Sequence, residues 1–513
     1  MREAPMGSEA TPGHCWAKQG RQPSIAIVGA GMSGIAAVVK LREAGYTDLS
    51  VYEKADRVGG TWRDNTYPGL SCDVPSHWYC FSFAPNPDWS HRFSYGSEIQ
   101  EYMEKVADDF GVTEIVRFDS AVTRLEYQAP IWRLTTEDGV EKSYDIVISA
   151  TGILHHPMYP DIEGLDSFEG ACFHSARWDH SVKFSGKRIG VIGTGSTASQ
   201  IVGEITNDVA EMRVFQRTAQ WMMPLPQKRY SRFWKRTLRL FPFVQRLVRR
   251  FYVRKFLLTW AAATTGDVKQ QQVLSEMSRK NLEGHVADPG LRAKLTPSYQ
   301  AACKRLVFCS DFYPAITREH AHLITEPIER ITPHGVQTAD GRHHELDVLV
   351  LATGFDPFAF ILPTRVTGEK SRDLETFWSG APRAHRAVAL PGFPNFWMLE
   401  GPTGPIGNLS IITVTENQLD YIIRMLDEMK ARGLAAVSVK EEAFDAYNEA
   451  LAEALPKTVW VTGGCTSWYM DKTGLPNLYS HAPQRYLEEM QNPDLAEFRL
   501  IEEVSEAAAT HAA

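Results

Sequence analysis

The 513-residue chain has no apolar run near the roughly 18 residues a membrane-spanning helix requires. Its first 22 residues lack the apolar core of a secretory signal, so none is expected. Cysteine is sparse: Cys15, Cys72, Cys80, Cys172, Cys303, Cys309 and Cys465 are dispersed and form no C-x-x-C. That argues against a zinc finger, any other metal site and a disulfide framework, and predicts a reduced, cytoplasmic protein. Charge of one sign is also scarce. The net value of −8 argues against a nucleic-acid partner for the chain as a whole. With 43% apolar and 23% charged residues, disorder, collagen and coiled coil are excluded. At roughly 150 residues per domain, the length suggests about three folding units.

What the chain does have is a glycine turn, twice. The apolar run Ile25 to Val28 leads into Gly29-Ala-Gly31-Met-Ser33-Gly34 and then an apolar helical pattern. Strand, glycine turn and helix in that order let the backbone approach a pyrophosphate at a helix N-terminus. The next strand, Leu49 to Tyr52, ends in Glu53, a carboxylate suited to an adenosine ribose. The pattern recurs as Arg188 to Ile192, Gly193-Thr-Gly195-Ser196-Thr197-Ala198, a helix, and a strand ending in Arg217. Glycine and charged residue are 24 positions apart in both units. An acid there suits a free 2′-hydroxyl, and an arginine suits a 2′-phosphate. The two units therefore predict FAD in the first and NADPH in the second. Closing strands lead into Ala150-Thr-Gly152 and Ala352-Thr-Gly354.

The fold class expected is α/β, with two nested Rossmann-like dinucleotide-binding domains and a helical insertion. The expected layout is a flexible tail over 1–21, a first FAD part over 22–152 and a first NADPH part over 160–217. The insertion follows over 218–302, then a second NADPH part over 303–352 and a second FAD part with the C-terminal region over 353–513.

Residues 168–179 read Phe168-Glu-Gly170-Ala-Cys-Phe-His174-Ser-Ala-Arg-Trp178-Asp179. This resembles the F-x-G-x-x-x-H-x-x-x-W-P/D fingerprint of type I Baeyer–Villiger monooxygenases, and it lies between two glycine loops as it does there. Gly60-Thr61-Trp62 through Tyr67-Pro-Gly69 to Asp73 resembles a second motif of the family. The resemblance implies that NADPH reduces FAD, that oxygen adds to give a C4a-peroxyflavin, and that a ketone becomes an ester or lactone. An anionic peroxide needs a fixed cation and exclusion of water. The resemblance assigns that cation to Arg305 and its carboxylate partner to Asp73. It places Lys304 with Arg217 and Thr218 at the 2′-phosphate, and Trp468 on a loop that closes over NADP. The candidate FAD residues are Gly29, Gly31, Ser33, Gly34, Glu53, Gly60, Thr61, Trp62, Asp73 and Tyr79. Those for NADPH are Gly193, Gly195, Ser196, Thr197, Arg217, Thr218, Lys304 and Trp468. The fingerprint, including His174, Trp178 and Asp179, is implied to act as a linker between domains. After Tyr469 the chain reads Met470-Asp-Lys-Thr-Gly474-Leu-Pro, which departs from the cyclohexanone-oxidising branch. The alternatives are a flavin monooxygenase acting on nitrogen or sulfur and, more remotely, a non-catalytic flavin-binding protein.

One stretch does not follow from the dinucleotide units. Residues 212–266 hold 13 Lys and Arg and no Asp or Glu. Within it Phe233, Phe241, Val244, Leu247, Val248 and Phe251 fall at helical spacing, and Pro242 should split the helix. The expectation is a helical subdomain with its apolar face packed inward and its basic face solvated. The alternative is peripheral membrane contact through the basic 228–255 segment.

Overall fold

A computed structural model describes residues 15–407 and 409–502. Ten strands build two parallel sheets: β1 Ile25–Val28, β2 Leu49–Tyr52, β3 Val116–Arg117, β4 Ile146–Ser149, β5 Ala171–His174, β6 Arg188–Ile192, β7 Glu211–Phe215, β8 Ala321–Ile324, β9 Val348–Leu351 and β10 Phe396–Met398. The first sheet has the order β10-β4-β1-β2-β3 and the second β8-β7-β6-β9-β5. Five helices matter for the site: α1 Met32–Glu43, α2 Ser196–Ile205, α3 Arg232–Leu240, α4 Pro242–Phe256 and α5 Ile411–Arg432.

The central strands read as short continuous apolar runs because both faces are covered. Ile27 pairs with Val51 on one side and Ile148 on the other, and all three are fully buried. Helix α1 is buried along most of its length and packs against α5. In each sheet the glycine turn follows the middle strand, which has the unit's next strand on one side and its closing strand on the other. This is the switch point at which parallel α/β sheets open a crevice. The two switch points are built alike. Gly29 has φ +106° and a Cβ on it would stand 2.6 Å from the Ala150 carbonyl oxygen; Gly193 has φ +120° and its Cβ would stand 2.4 Å from that of Ala352. An antiparallel ribbon precedes each closing strand, Val122 to Tyr144 in the first unit and Ile328 to Glu345 in the second. The chain passes between the sheets through 150–158 and 352–358, which touch through a Pro157–Phe355 bridge.

Three sequence expectations are corrected. Residues 15–21 do not form a loose tail: Trp16 is buried, and Arg21 donates to both Asp145 oxygens at 2.6 Å. Residues 1–14 of that expected tail lie outside the described residues. Cys303 and Cys465 form a disulfide across 162 positions, a separation that carries no motif. The insertion splits at Pro242 into α3 and α4. Its apolar face does not pack inward, however: Phe233, Phe241, Leu247 and Phe251 are exposed, and Val244 and Val248 are half-buried. The inward positions are Leu238 and Gln245, which are buried and bonded to each other across the break, and Arg249 and Phe256, which meet the body of the protein at Cys80 and Trp78. Among the described residues no helix is long and apolar enough to cross a membrane.

A Cβ on Gly34 would lie 1.9 Å from the Gly29 carbonyl oxygen, so α1 can close on its turn only with glycine there. Gly34→Ala is expected to cost more than about 3 kcal/mol of stability, read as a lowered melting temperature by scanning calorimetry. A wild-type melting curve would contradict this packing.

Candidate active site

The first glycine turn is closed from outside by a second. A Cβ on Gly31 would be 3.6 Å from the Gly60 Cα, and Gly60 has φ +55°. A Cβ on Gly60 would stand 3.1 Å from the Gly31 Cα, so its tight contact and positive φ together favour glycine there. Glu53 is buried at the end of β2. It accepts hydrogen bonds from Ala30 N at 2.8 Å and Ala55 N at 3.0 Å, and pairs with Arg63 at 3.0 Å. Its carboxylate thus holds the turn in shape and keeps acceptor capacity free for one further donor. Ser33, in the first turn of α1, donates to the buried Glu400 at 2.5 Å, and Thr415 donates to the same oxygen at 2.7 Å. Burial raises the Glu400 pKa. Trp62 Nε1–H donates to the Tyr79 hydroxyl at 3.0 Å, and burial holds that phenol neutral.

Arg305 and Asp73 meet across 232 positions. Arg305 Nη2 lies 2.9 and 2.7 Å from the two Asp73 oxygens, and Nε 3.3 Å from the second. The contact is a fork-to-carboxylate pair whose geometry fixes the guanidinium plane. The Arg305 side chain is 37% exposed, so one side opens to the cleft. Asp73 raises the Arg305 pKa above its already high value. Tyr469 lies beside Arg305, and burial pushes its phenol up to about 12.

Both partners are anchored. Cys72 N–H donates to Ser94 O at 2.9 Å, and Gln200 of α2 donates to Ser71 O at 3.0 Å while accepting from the Tyr67 hydroxyl at 3.0 Å. One glutamine therefore ties the second glycine unit to the Asp73 loop. On the other side, Val307 and Phe308 pair with Met222 and Met223, and the Cys303–Cys465 disulfide binds the Arg305 segment to the loop carrying Trp468 and Tyr469. Trp468 is 41% exposed and packs beside Tyr469, with ring centroids 4.3 Å apart and planes tilted by 39°.

The second unit brings cations together. Thr194 Oγ1 donates to Thr218 O at 3.0 Å, which draws the end of β7 to the glycine turn. Lys304 sits over the Tyr299 ring at 5.2 Å, and burial and then the Arg217 charge lower its pKa. Two cations are thus held near each other, and neither has an ion-pair partner among the described residues. Gly195 has open space where a Cβ would stand, and Ser196 and Thr197 begin α2 above it.

The fingerprint lies on β5 and the turn after it, at the edge of the second sheet beside the inter-sheet crossing. A Cβ on Gly170 would strike the Asp347 carbonyl oxygen at 2.6 Å. His174 is fully buried and its Nδ1 accepts from Ala176 N at 3.1 Å. Burial lowers its pKa and keeps it neutral. It faces Tyr159, which directly follows the first crossing segment, and Phe355 of the second, with ring centroids at 5.4 and 5.9 Å. Trp178 is buried against Phe173 and Phe184, whereas Asp179 is exposed and accepts from Ser181 at 2.6 Å. Phe168 packs at the rim of a small core beside Leu346 and Leu349.

Sequence reasoning did not single out Glu400, Gln200, Tyr299 or Tyr469 as site residues. For Glu400 a signal existed: an acid after a strand, followed by Gly401-Pro-Thr403-Gly404-Pro, with Glu400 and Thr403 both at φ +60°.

Peptide mapping without reductant is expected to return one linked pair holding Cys303 and Cys465, with Cys72, Cys80 and Cys309 alkylated only after unfolding because they are buried. A free Cys303 thiol in the oxidised protein would contradict the tether.

Residues 22–364 match the family model described as flavin-binding monooxygenase-like. An uncharacterized monooxygenase of Mycobacterium tuberculosis strain H37Rv is 44% identical over 481 residues, covering 94% of this chain and 97% of that relative. A Baeyer–Villiger monooxygenase of Streptomyces coelicolor is 38% identical, covering 93% and 92%. Among solved structures, an oxidized steroid monooxygenase bound to NADP superposes with TM-score 0.84 at 27% identity, covering 94% of this chain and all of that one. A complex of OTEMO with FAD and NADP gives 0.83 at 26%, with the same coverage.

Proposed function

The chain belongs to the flavin-binding monooxygenase-like family, and we propose that its Asp73–Arg305 pair is the fixed charge around which a Baeyer–Villiger oxidation is run. The protein is an FAD-containing, NADPH- and O2-dependent monooxygenase that converts ketones to esters or lactones. FAD, when bound and reduced by NADPH, supplies the oxygen-activating chemistry.

The residues present fit that pair of cofactors. The Gly29 turn and the Gly31–Gly60 approach make a cradle that side chains would fill, and the start of α1 faces it. Glu53, Ser33, Thr61, Trp62 and Tyr79 would hold the flavin nucleotide around this cradle. Gly193, Gly195, Ser196 and Thr197 would hold the nicotinamide dinucleotide at the start of α2. Arg217, Thr218 and Lys304 would take its 2′-phosphate, because two neighbouring cations with no ion pair among the described residues gain most from a dianion.

Arg305 keeps its charge at every working pH and presents its free N–H edge to the cleft, so it stabilises negative charge that develops there. Asp73 orients the guanidinium and moderates its field. Trp468, on the disulfide-tethered loop, closes the cleft against water. His174, buried and neutral, positions the two crossing segments and touches no reacting group. The observation that carries this reading is the bidentate pair itself, set between two dinucleotide cradles. A cytoplasmic location belongs to the same reading, and the ketone and O2 are the small-molecule partners.

Product analysis with linear, cyclic and aryl ketones and one sulfide is expected to give esters or lactones with NADPH. Sulfoxide without ester would displace this reading. Arg305→Ala is expected to abolish ester formation while NADPH still bleaches the flavin anaerobically; normal ester formation would defeat the assignment. Arg217→Ala is expected to raise the KM for NADPH about tenfold or more and leave that for NADH unchanged. Because the Arg305 pKa is raised, the rate profile between about pH 6 and 10 should carry no limb from this residue. A limb that moves in Asp73→Asn would contradict that.

A further inference from the structure

Seven large apolar side chains are exposed within residues 233–258: Phe233, Leu240, Phe241, Phe243, Leu247, Phe251 and Leu258. Phe233 is 80% exposed and Phe251 62%. Isolated exposed leucines are ordinary on soluble proteins, but a contiguous patch marks a contact surface. At 100° per residue, Phe243, Leu247 and Phe251 fall within a sector of about 80° on α4. Arg246 and Arg250 border that sector on one side and Lys255 on the other, with Arg254 inside it. These four cations are exposed and form no ion pair among the described residues. The cations that do pair point elsewhere. Arg249, on the opposite face, bonds Glu416 and the Cys80 carbonyl, both at 3.0 Å, and Arg239 of α3 bonds Asp88 at 2.6 Å. Phe256 on the same inner face meets Trp78, with ring centroids 5.1 Å apart, so α4 is seated and its outer face is free.

A second feature adjoins the patch. At the start of α3 a cleft of about 440 Å³ is lined by Ser90, Arg229, Tyr230, Ser231, Arg232 and Lys235. Three cations and three hydroxyls around one space suit a phosphate-bearing headgroup.

We propose that the outer face of α3 and α4 docks the enzyme on an anionic lipid bilayer, with the aromatic and leucine side chains entering the headgroup boundary and the flanking Arg and Lys meeting lipid phosphates. Charge argues for this occupant. The segment 212–266 carries 13 cations and no acid in a chain that is otherwise acidic. A second copy meeting this face across a two-fold axis would bring the cluster of Arg246, Arg250 and Arg254 close to the same cluster on its partner, with no acid on α3 or α4 to offset it. A bilayer offers both the negative surface and the apolar layer beneath it.

The test uses the full-length holoenzyme and co-sedimentation with vesicles of phosphatidylcholine, with or without phosphatidylglycerol. Binding is expected only to the anionic vesicles at low salt, and it should fall at least about tenfold in about 0.5 M salt, where charges are screened within roughly 4 Å. Arg246→Gln/Arg250→Gln/Arg254→Gln should weaken partitioning about 100-fold, at roughly fivefold per cation. Phe243→Ser/Leu247→Ser/Phe251→Ser should leave only weak adsorption that salt abolishes. Both variants should keep the melting temperature and NADPH-driven flavin bleaching. No binding at low salt, or equal binding to neutral vesicles, would overturn the proposal. So would a concentration-dependent dimer that the serine variant abolishes, or tighter binding to a single-stranded oligonucleotide than to vesicles.

Discussion

The bidentate contact between Asp73 and Arg305 is the constraint on which the rest of the cleft is organised. A permanent cation that is partly exposed needs a carboxylate to hold it, or it would turn toward solvent and lose its direction. The two groups come from segments 232 positions apart, so the pair can form only when the loop after the first glycine unit and the strand that returns from the insertion are brought together. Every anchor described above serves one partner or the other. Gln200 and Ser94 hold the Asp73 loop, whereas the short Met222–Val307 pairing and the Cys303–Cys465 bond hold the Arg305 segment.

The architecture around the pair is one plan used twice. Each parallel sheet places its glycine turn at the switch point, and each glycine lies against the carbonyl of an Ala-Thr-Gly strand end. The difference lies in what waits beyond the turn. In the first unit Glu53 is tied to backbone N–H groups and Arg63, an acid made part of the turn. In the second, Arg217 and Lys304 have no counter-charge among the described residues, and the Tyr299 ring supports Lys304. The crossing segments between the two sheets pack on His174, whose pKa is lowered chiefly by burial. The fingerprint therefore lies at the crossing between the units, with His174 packed against both segments.

Much of this was legible in the chain. The two strand–turn–helix patterns, the 24-residue spacings and the Ala-Thr-Gly strand ends are local, and short-range sterics decide them. The Lys304–Arg305 pair was legible only through family resemblance, since two adjacent basic residues have no local signature. Cys303 and Cys465 were misread because proximity across 162 positions leaves no spacing pattern. Glu400 was passed over although its Gly- and Pro-rich context marks a forced turn. The insertion shows the limit most plainly. Helical spacing identified an amphipathic segment and Pro242 its break, yet periodicity does not say which face meets the body.

By itself the sequence determined the elements and their chemistry: two glycine turns, an acid after one and an arginine after the other, and a basic aromatic segment between them. These depend on steric rules that act within a few residues. Only the tertiary structure decided that Arg305 meets Asp73, that Cys303 meets Cys465, that Trp16 is buried, and that Phe233 and Phe251 face outward. Such outcomes depend on which surfaces compete for the same buried space, and that competition is settled by the packing of the whole chain.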